Sequence, residues 1–188
     1  HIDNVKIYID GPEVPIMDGS SKPFVELIEN AKIKEQNSKR KIIKVLKELE
    51  VCRDDSFVRL SPNKQFSINF EIEFDSIVVN KQACRLQLLN GNYKNDVSSA
   101  RTFGFEKDVK GLIKNGFALG GSLENAVVIG ERDIINSEGL RFKDEFVRHK
   151  ILDSIGDLYL SGYSVEGYFH GKKSGHSLNK ALLKKLFS

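Results

Sequence analysis

The stretch "EFVRHKILDSIGD", residues 145–157, spaces His149, Asp153 and Asp157 as i, i+4, i+8. On an α-helix that spacing lays three polar side chains along one face. Val147, Ile151, Ile155 and Leu158 form a separate apolar stripe, so the polar row is not simply the solvent side. An imidazole and a carboxylate one turn apart can both reach a single cation, and zinc accepts nitrogen and oxygen donors together. Two donors do not complete a site, because a catalytic zinc takes three protein ligands plus water. The plainer account of the same pair is a His–Asp contact on a helix surface.

A second group is "GKKSGHSLN", residues 171–179, which sets Lys172, Lys173 and His176 in a Gly- and Ser-containing loop that opens a helix. Loop plus helix N-terminus suits an anion. His176 can act as a general acid or as a cation facing an oxyanion, with Asp157 as the partner that orients it. A solvated loop with an ordinary histidine explains the same residues. "SSARTFGF" (98–105) puts Thr102 ahead of two aromatics, and "GFALGGSLENAVV" (116–128) flanks a Gly-Gly turn with Phe117, Leu119 and Leu123. Both suit an apolar groove, and core packing suits them better. "PIMDGS" (15–20) carries a loop carboxylate, Asp18, before a helix.

These groups need elements to hold them. "VKIYID" alternates Val5, Ile7 and Ile9 with polar partners, as a half-buried strand does. "MDGSSKPFVELIENAKI" reads as a helix: Ser20 or Ser21 can cap, Pro23 suits the first turn, and Phe24, Leu27, Ile28 and Ala31 keep helical spacing. Residues 34–41 are polar and charged without period and read as a linker. "KIIKVLKELEVC" is ambiguous, with Ile43, Val45, Leu49 and Val51 favouring a strand. "FSINFEIEF" alternates strictly, from Phe66 through Ile68, Phe70 and Ile72 to Phe74, and "ACRLQLL" is its expected neighbour. Short helices are expected at 92–101 and at 106–116, the latter stopped by Gly116. "NAVVIG" reads as a buried strand, 145–161 as a helix, "YSVEGYF" as a strand and "SLNKALLKKLF" as a final helix. The pattern is α+β, a two-layer sandwich with helices packed on one face of the sheets.

The 188 residues allow one large domain or two small ones. Composition is ordinary for a globular chain, at 40% hydrophobic and 29% charged. No apolar run approaches the roughly 18 residues of a membrane span, and no secretory leader pattern begins the chain. Cys52 and Cys84 have neither metal spacing nor disulfide density, which points to a reduced, cytoplasmic setting. The net charge of +3 is too small and dispersed to argue for nucleic acid. The chain begins with His1 rather than Met, so its natural start is expected upstream.

Taken in order, "DGPEVPIMDGSSKPFV", "ARTFGFEKDV", "LGGSLENAVVI", "GLRFKDEFVRHKILDSIGDLYLSG" and "KSGHSLNKALL" resemble the UDP-3-O-acyl-N-acetylglucosamine deacetylases over nearly the whole chain. The resemblance implies a zinc enzyme of Gram-negative bacteria that takes the committed step of lipid A synthesis by releasing acetate from UDP-3-O-acyl-GlcNAc. It implies two similar α+β domains with the active site between them. Residues 1–33 would be the remainder of the first domain and 42–188 the second, with an inserted element at about 104–130. His149 and Asp153 match two of three zinc ligands, and Asp157 with His176 matches an aspartate–histidine pair that assists catalysis. Lys150 matches a lysine near the sugar and phosphate, and Lys173 a further basic residue there. Thr102 matches the threonine that bonds the oxyanion, and Phe103 follows it into the acyl site. Glu73 and Phe74 fall at the uridine diphosphate pocket. Val109, Ala118, Ser122 and Val128 fall in the inserted β-α-β element that forms the acyl tunnel.

One departure matters. The family's third ligand is a histidine preceded by the general-base glutamate, about ten residues before the strand beginning "IDNV". His1 is not at that position, so the pair is absent from these residues and the chain alone is expected to turn over little. The full-length protein is expected to be a monomer. Two rivals stand beside this reading. One is a non-catalytic fragment that binds a UDP-sugar or acyl chain. The other is a basic protein whose lysine-rich final helix lies on a membrane surface.

Overall fold

A computed structural model describes residues 4–34, 41–89, 91–114 and 120–188. In chain order its elements are α1 (Lys22–Asn30), β1 (Ile42–Lys44), β2 (Leu49–Arg53), β3 (Ser56–Ser61), β4 (Ser67–Glu73), β5 (Lys81–Gln87), α2 (Asn92–Asp96) and β6 (Phe103–Phe105). They continue with α3 (Glu106–Lys114), β7 (Val127–Ile129), α4 (Glu145–Tyr159), β8 (Ser164–Glu166), β9 (Tyr168–Lys172) and α5 (His176–Leu186).

The architecture is α+β. One five-stranded sheet, ordered β2-β3-β9-β4-β5, is covered on one face by α4 and α5. Its pairs are antiparallel except β4 with β9, which run parallel. The alternation of "FSINFEIEF" has the expected outcome: Ile68, Phe70 and Ile72 are buried, while Asn69 and Glu71 are half-buried on the other face. Register lines Val58, Gly171, Phe70 and Cys84 across the sheet, and beside them Leu60, Phe169, Ile68 and Leu86. Phe146, Val147, Ile151, Ile155 and Leu158 of α4, with Leu178 and Leu182 of α5, close the core over those rows. Burying each such side chain contributes about 1.5–3 kcal/mol, so this face holds the fold together. Gly171 is required here, because a Cβ would stand 2.6 Å from the Phe70 ring.

Several expectations are corrected. "VKIYID" forms no strand, and Val5, Ile7 and Ile9 are all exposed. A strand needs a ladder partner for its backbone groups, and no described strand pairs with these residues. "KIIKVLKELEVC" divides into β1 and β2, and β3, unforeseen, completes a hairpin with β2. "YSVEGYF" divides at Gly167: β8 pairs parallel with β1, while β9 enters the main sheet and carries on through His170 and Lys172. The helix at 92–101 stops at Asp96. In α1 no residue is buried, and Leu27 stands exposed. Ser21 stands at the start of that helix without a side-chain cap bond, its hydroxyl instead meeting Tyr93 Oη at 2.7 Å, while Ser20 Oγ accepts from Lys22 N at 3.3 Å. Gly116 and the linker's residues 35–40 lie outside the described residues. The apolar face of α5 is spent on the sheet, which removes the ground for laying it on a membrane. Among the described residues, no helix is long and apolar enough to cross a bilayer.

Candidate metal centre and its surroundings

Helix α4 brings its polar row together as the spacing predicts. His149 Nε2 lies 3.3 Å from Asp153 Oδ1. His149 Nδ1 is 3.0 Å from the Ala100 carbonyl. A carbonyl can only accept, so Nδ1 carries the proton, and in the neutral ring Nε2 then keeps its lone pair. Burial lowers the imidazole pKa below its ordinary value, opposed by the Asp153 carboxylate and the Ala100 carbonyl. A neutral ring with a free Nε2 is the form in which histidine binds metal. The imidazole nitrogen and carboxylate oxygen are a donor set that suits zinc, and they supply two ligands. No described group of three or more His, Cys, Asp or Glu side chains is placed to hold a metal.

The loop and the helix end add the rest. Lys150 Nζ bonds the other Asp153 oxygen at 2.6 Å. Asp157 Oδ2 lies 2.8 Å from His176 Nδ1, and His176 Nε2 stands 3.9 Å from Asp153 Oδ2. Sequence reasoning missed Asn179, fully buried, which donates to Asp157 Oδ2 at 2.8 Å and fixes that carboxylate from behind. Its position one turn beyond His176 on α5 was the available signal.

Thr102 sits on a stretch held at both backbone ends: its N–H donates to the Gly19 carbonyl at 2.7 Å and its carbonyl accepts from Val127 N at 2.8 Å. Gly19 is the second glycine that geometry demands, with φ +81° and a would-be Cβ 2.1 Å from the Asn125 carbonyl oxygen. Phe103 packs on Phe146 with ring centroids 4.9 Å apart and stands 6.3 Å from the His149 ring. Phe74 touches Phe103 and Phe105 edge-on, at 5.9 and 5.4 Å, so residues assigned to separate subsites form one aromatic cluster. Beside it opens a cleft of about 810 Å³ lined by Phe74, Ile77, Phe105, Lys107, Ile129 and Arg132.

Glu73 is exposed and stands 3.7 Å from Lys173 Nζ, which bonds Asp55 at 2.5 Å. Asp55 raises the Lys173 pKa and is itself held below the usual carboxylate range by that bond. Strands β6 and β7 pair parallel around α3, giving a β-α-β unit that carries Val109 and Val128, both half-buried. Ser122 is exposed in a turn, its hydroxyl accepting from Glu124 N, and does not meet the aromatic cluster. Ala118 lies outside the described residues.

The comparisons with known proteins agree with one another. The profile of the family described as UDP-3-O-acyl N-acetylglycosamine deacetylase matches residues 1–188. The chain is 48% identical over 189 aligned positions to the UDP-3-O-acyl-N-acetylglucosamine deacetylase of Psychrobacter arcticus, covering 100% of this chain and 59% of that protein. It is 48% identical over 187 positions to the deacetylase of Acidithiobacillus ferrooxidans, covering 98% of this chain and 62% of that one. With the deacetylase of Shewanella violacea the identity is 45%, over 100% of this chain and 62% of the relative. The chain therefore spans about three fifths of the length of the relatives it matches. On a match that runs from its first residue to its last, the chain belongs to the UDP-3-O-acyl N-acetylglycosamine deacetylase family.

Proposed function

We propose that this chain is the larger part of a zinc-dependent deacetylase that hydrolyses the acetamide of UDP-3-O-acyl-GlcNAc and releases acetate, in the cytoplasm, for lipid A synthesis. The observation that carries the reading is the meeting of His149 Nε2 and Asp153 Oδ1 at 3.3 Å beside the Asp157–His176 pair. His149 and Asp153 would hold the metal. When bound, zinc supplies Lewis acidity toward the acetamide carbonyl and makes water a better nucleophile at neutral pH. Asp157 orients His176 through Nδ1, which leaves Nε2 free to hold or deliver a proton at the scissile amide. The Thr102 hydroxyl donates to the oxygen on which charge develops. Lys150 keeps the second Asp153 oxygen neutralised, and Lys173 offers charge for the diphosphate. The aromatic cluster of Phe74 and Phe103, with Val109 and Val128 on the β-α-β unit, supplies apolar surface for the base and acyl chain.

Among the described residues, His149 and Asp153 give two of the three metal donors the reading calls for, and no glutamate is read in the general-base role. Loss of a general base alone costs about 10²–10⁴-fold in rate, so these 188 residues by themselves are expected to turn over little. Residues 1–33 and 42–188 are read as parts of two domains joined at 34–41.

The test is zinc affinity by competition with a chromophoric chelator, for the parent chain and a His149→Ala, Asp153→Ala double variant. Weak parent binding that the variant loses supports the half-site. Equal behaviour of the two would sink it. Acetate release by a chain extended to the length of the relatives then tests the reaction. The cleft beside Phe74 and Phe105 favours a second reading, a non-catalytic module for a UDP-sugar or acyl chain. That reading expects nucleotide-sugar binding that survives chelation.

A further inference from the structure

Glu145 is wholly buried, and a buried carboxylate must be paid for by partners. Its partners converge on one stretch of backbone. Oε1 accepts from Arg101 N at 3.0 Å and from Arg101 Nε at 2.8 Å. Oε2 accepts from Arg101 Nη2 at 3.2 Å and from Arg141 N at 2.6 Å. The Arg101 guanidinium is completed by Glu138 at 2.7 Å and by the Gly139 carbonyl at 2.7 Å. Glu145 lies one turn before His149 on α4, and Arg101 lies between Ala100 and Thr102. The peptide that Glu145 grips through the Arg101 N–H is the same peptide whose carbonyl, on Ala100, accepts from His149 Nδ1.

We propose that Glu145 is a positioning residue: by holding the Ala100–Arg101 peptide, it fixes which nitrogen of His149 is protonated and where Thr102 stands relative to it. The inference deepens the deacetylase reading and rests on it for its purpose, though not for its geometry. One peptide plane serves both bonds, with its N–H toward Glu145 and its C=O toward His149. A rotation that broke one bond would break the other. With the plane fixed, His149 keeps Nε2 unprotonated toward Asp153, and the hydroxyl-bearing Thr102 follows on a backbone already tied to Gly19 and Val127. A merely structural ion pair would stabilise the fold and leave the tautomer of His149 to chance.

The experiment uses the chain labelled with ¹⁵N-histidine, the His149 signals being assigned by their loss in His149→Gln. Long-range nitrogen–proton spectra at neutral pH distinguish the two neutral tautomers. The parent is expected to show Nδ1 protonated and Nε2 unprotonated. A parent ring protonated on Nε2 would overturn the proposal whatever the variants do. In Glu145→Gln the amide places a donor against donors, and the His149 ring is expected to become a mixture of tautomers. Glu138→Gln, which removes the solvent-side partner of the same arginine, is expected to leave the ring as it was. Where Glu145→Gln does not fold, Glu145→Asp serves, since it keeps the charge but withdraws the carboxylate by one methylene. An unchanged tautomer in the folded variant refutes the proposal. Zinc competition adds a second readout, with an expected weakening of about 10- to 100-fold in the Glu145 variant. If His149→Gln leaves zinc affinity unchanged, the metal reading fails while the tautomer result still decides the role of Glu145.

Discussion

Two stretches of this chain alternate apolar and polar residues in the same way, and they end differently. In β4, Ile68, Phe70 and Ile72 are buried between the sheet and α4. In residues 4–9, Val5, Ile7 and Ile9 stand in solvent with no ladder. Alternation defines a face, but it does not provide what the face packs on. β4 has β9 on one side and β5 on the other, with a helix above. Further along, the loop at 18–21 is tied down by Asp18 to Arg141 at 2.7 Å and by the Gly19 carbonyl to Thr102 N.

Truncation should separate the two stretches most sharply. Phe70→Ala is expected to destabilise by about 3–5 kcal/mol in urea unfolding, because the ring is fully buried. Gly19→Ala tests the junction. Its left-handed backbone alone costs an alanine about 1–2 kcal/mol, and the contact with the Asn125 carbonyl adds to that. A loss well below 1 kcal/mol would mean that the loop moves aside at little cost.

Acid should act on the same junction. Burial would raise the Asp18 pKa, but hydrogen bonds from Ser20 and Arg141 outweigh it and hold the carboxyl below 3.8. A carboxyl depressed in the folded state stabilises above its unfolded pKa, and that contribution is lost as pH falls through the folded value. His149 works in the same direction at higher pH: its buried ring is neutral, so its contribution begins to fall as pH drops below 6.5. Urea midpoints across pH should decline in two steps, and Asp18→Asn should shrink the lower one, to which Asp55 also contributes. Ile7→Ser is the smallest change, expected within about 0.5 kcal/mol of the parent, since the side chain is 68% exposed. A loss above 1 kcal/mol would show that the stretch packs on something in solution.

The same contrast explains what was legible beforehand. The periodicities that read correctly were those with a partner in the chain, as in α4, β4 and β5. Spacing alone foretold that His149 and Asp153 would meet, because a helix enforces i, i+4 neighbours. It could not foretell that Glu145 in the first turn of α4 would grip the peptide before Thr102, since that contact joins residues 44 positions apart. Nor could it show β3, whose "SFVRLS" is too short and mixed to read without the strands beside it. Nor could spacing show that Lys173, expected in a loop suited to an anion, is engaged by Asp55 from the turn before β3.

The order of the main sheet has a consequence for how the protein is made. β9 is the middle strand, yet it is the last strand of the sheet in sequence. During synthesis the hairpins β2–β3 and β4–β5 emerge first, each with an edge that has no neighbour. Those edges wait for β9, which follows far along the sequence, a non-local closure that is slow to form. Until it arrives, two open strand edges are exposed to other chains. The nascent protein should therefore be most prone to aggregation while β9 has yet to emerge, and a pause in translation before it should lower the yield of soluble chain.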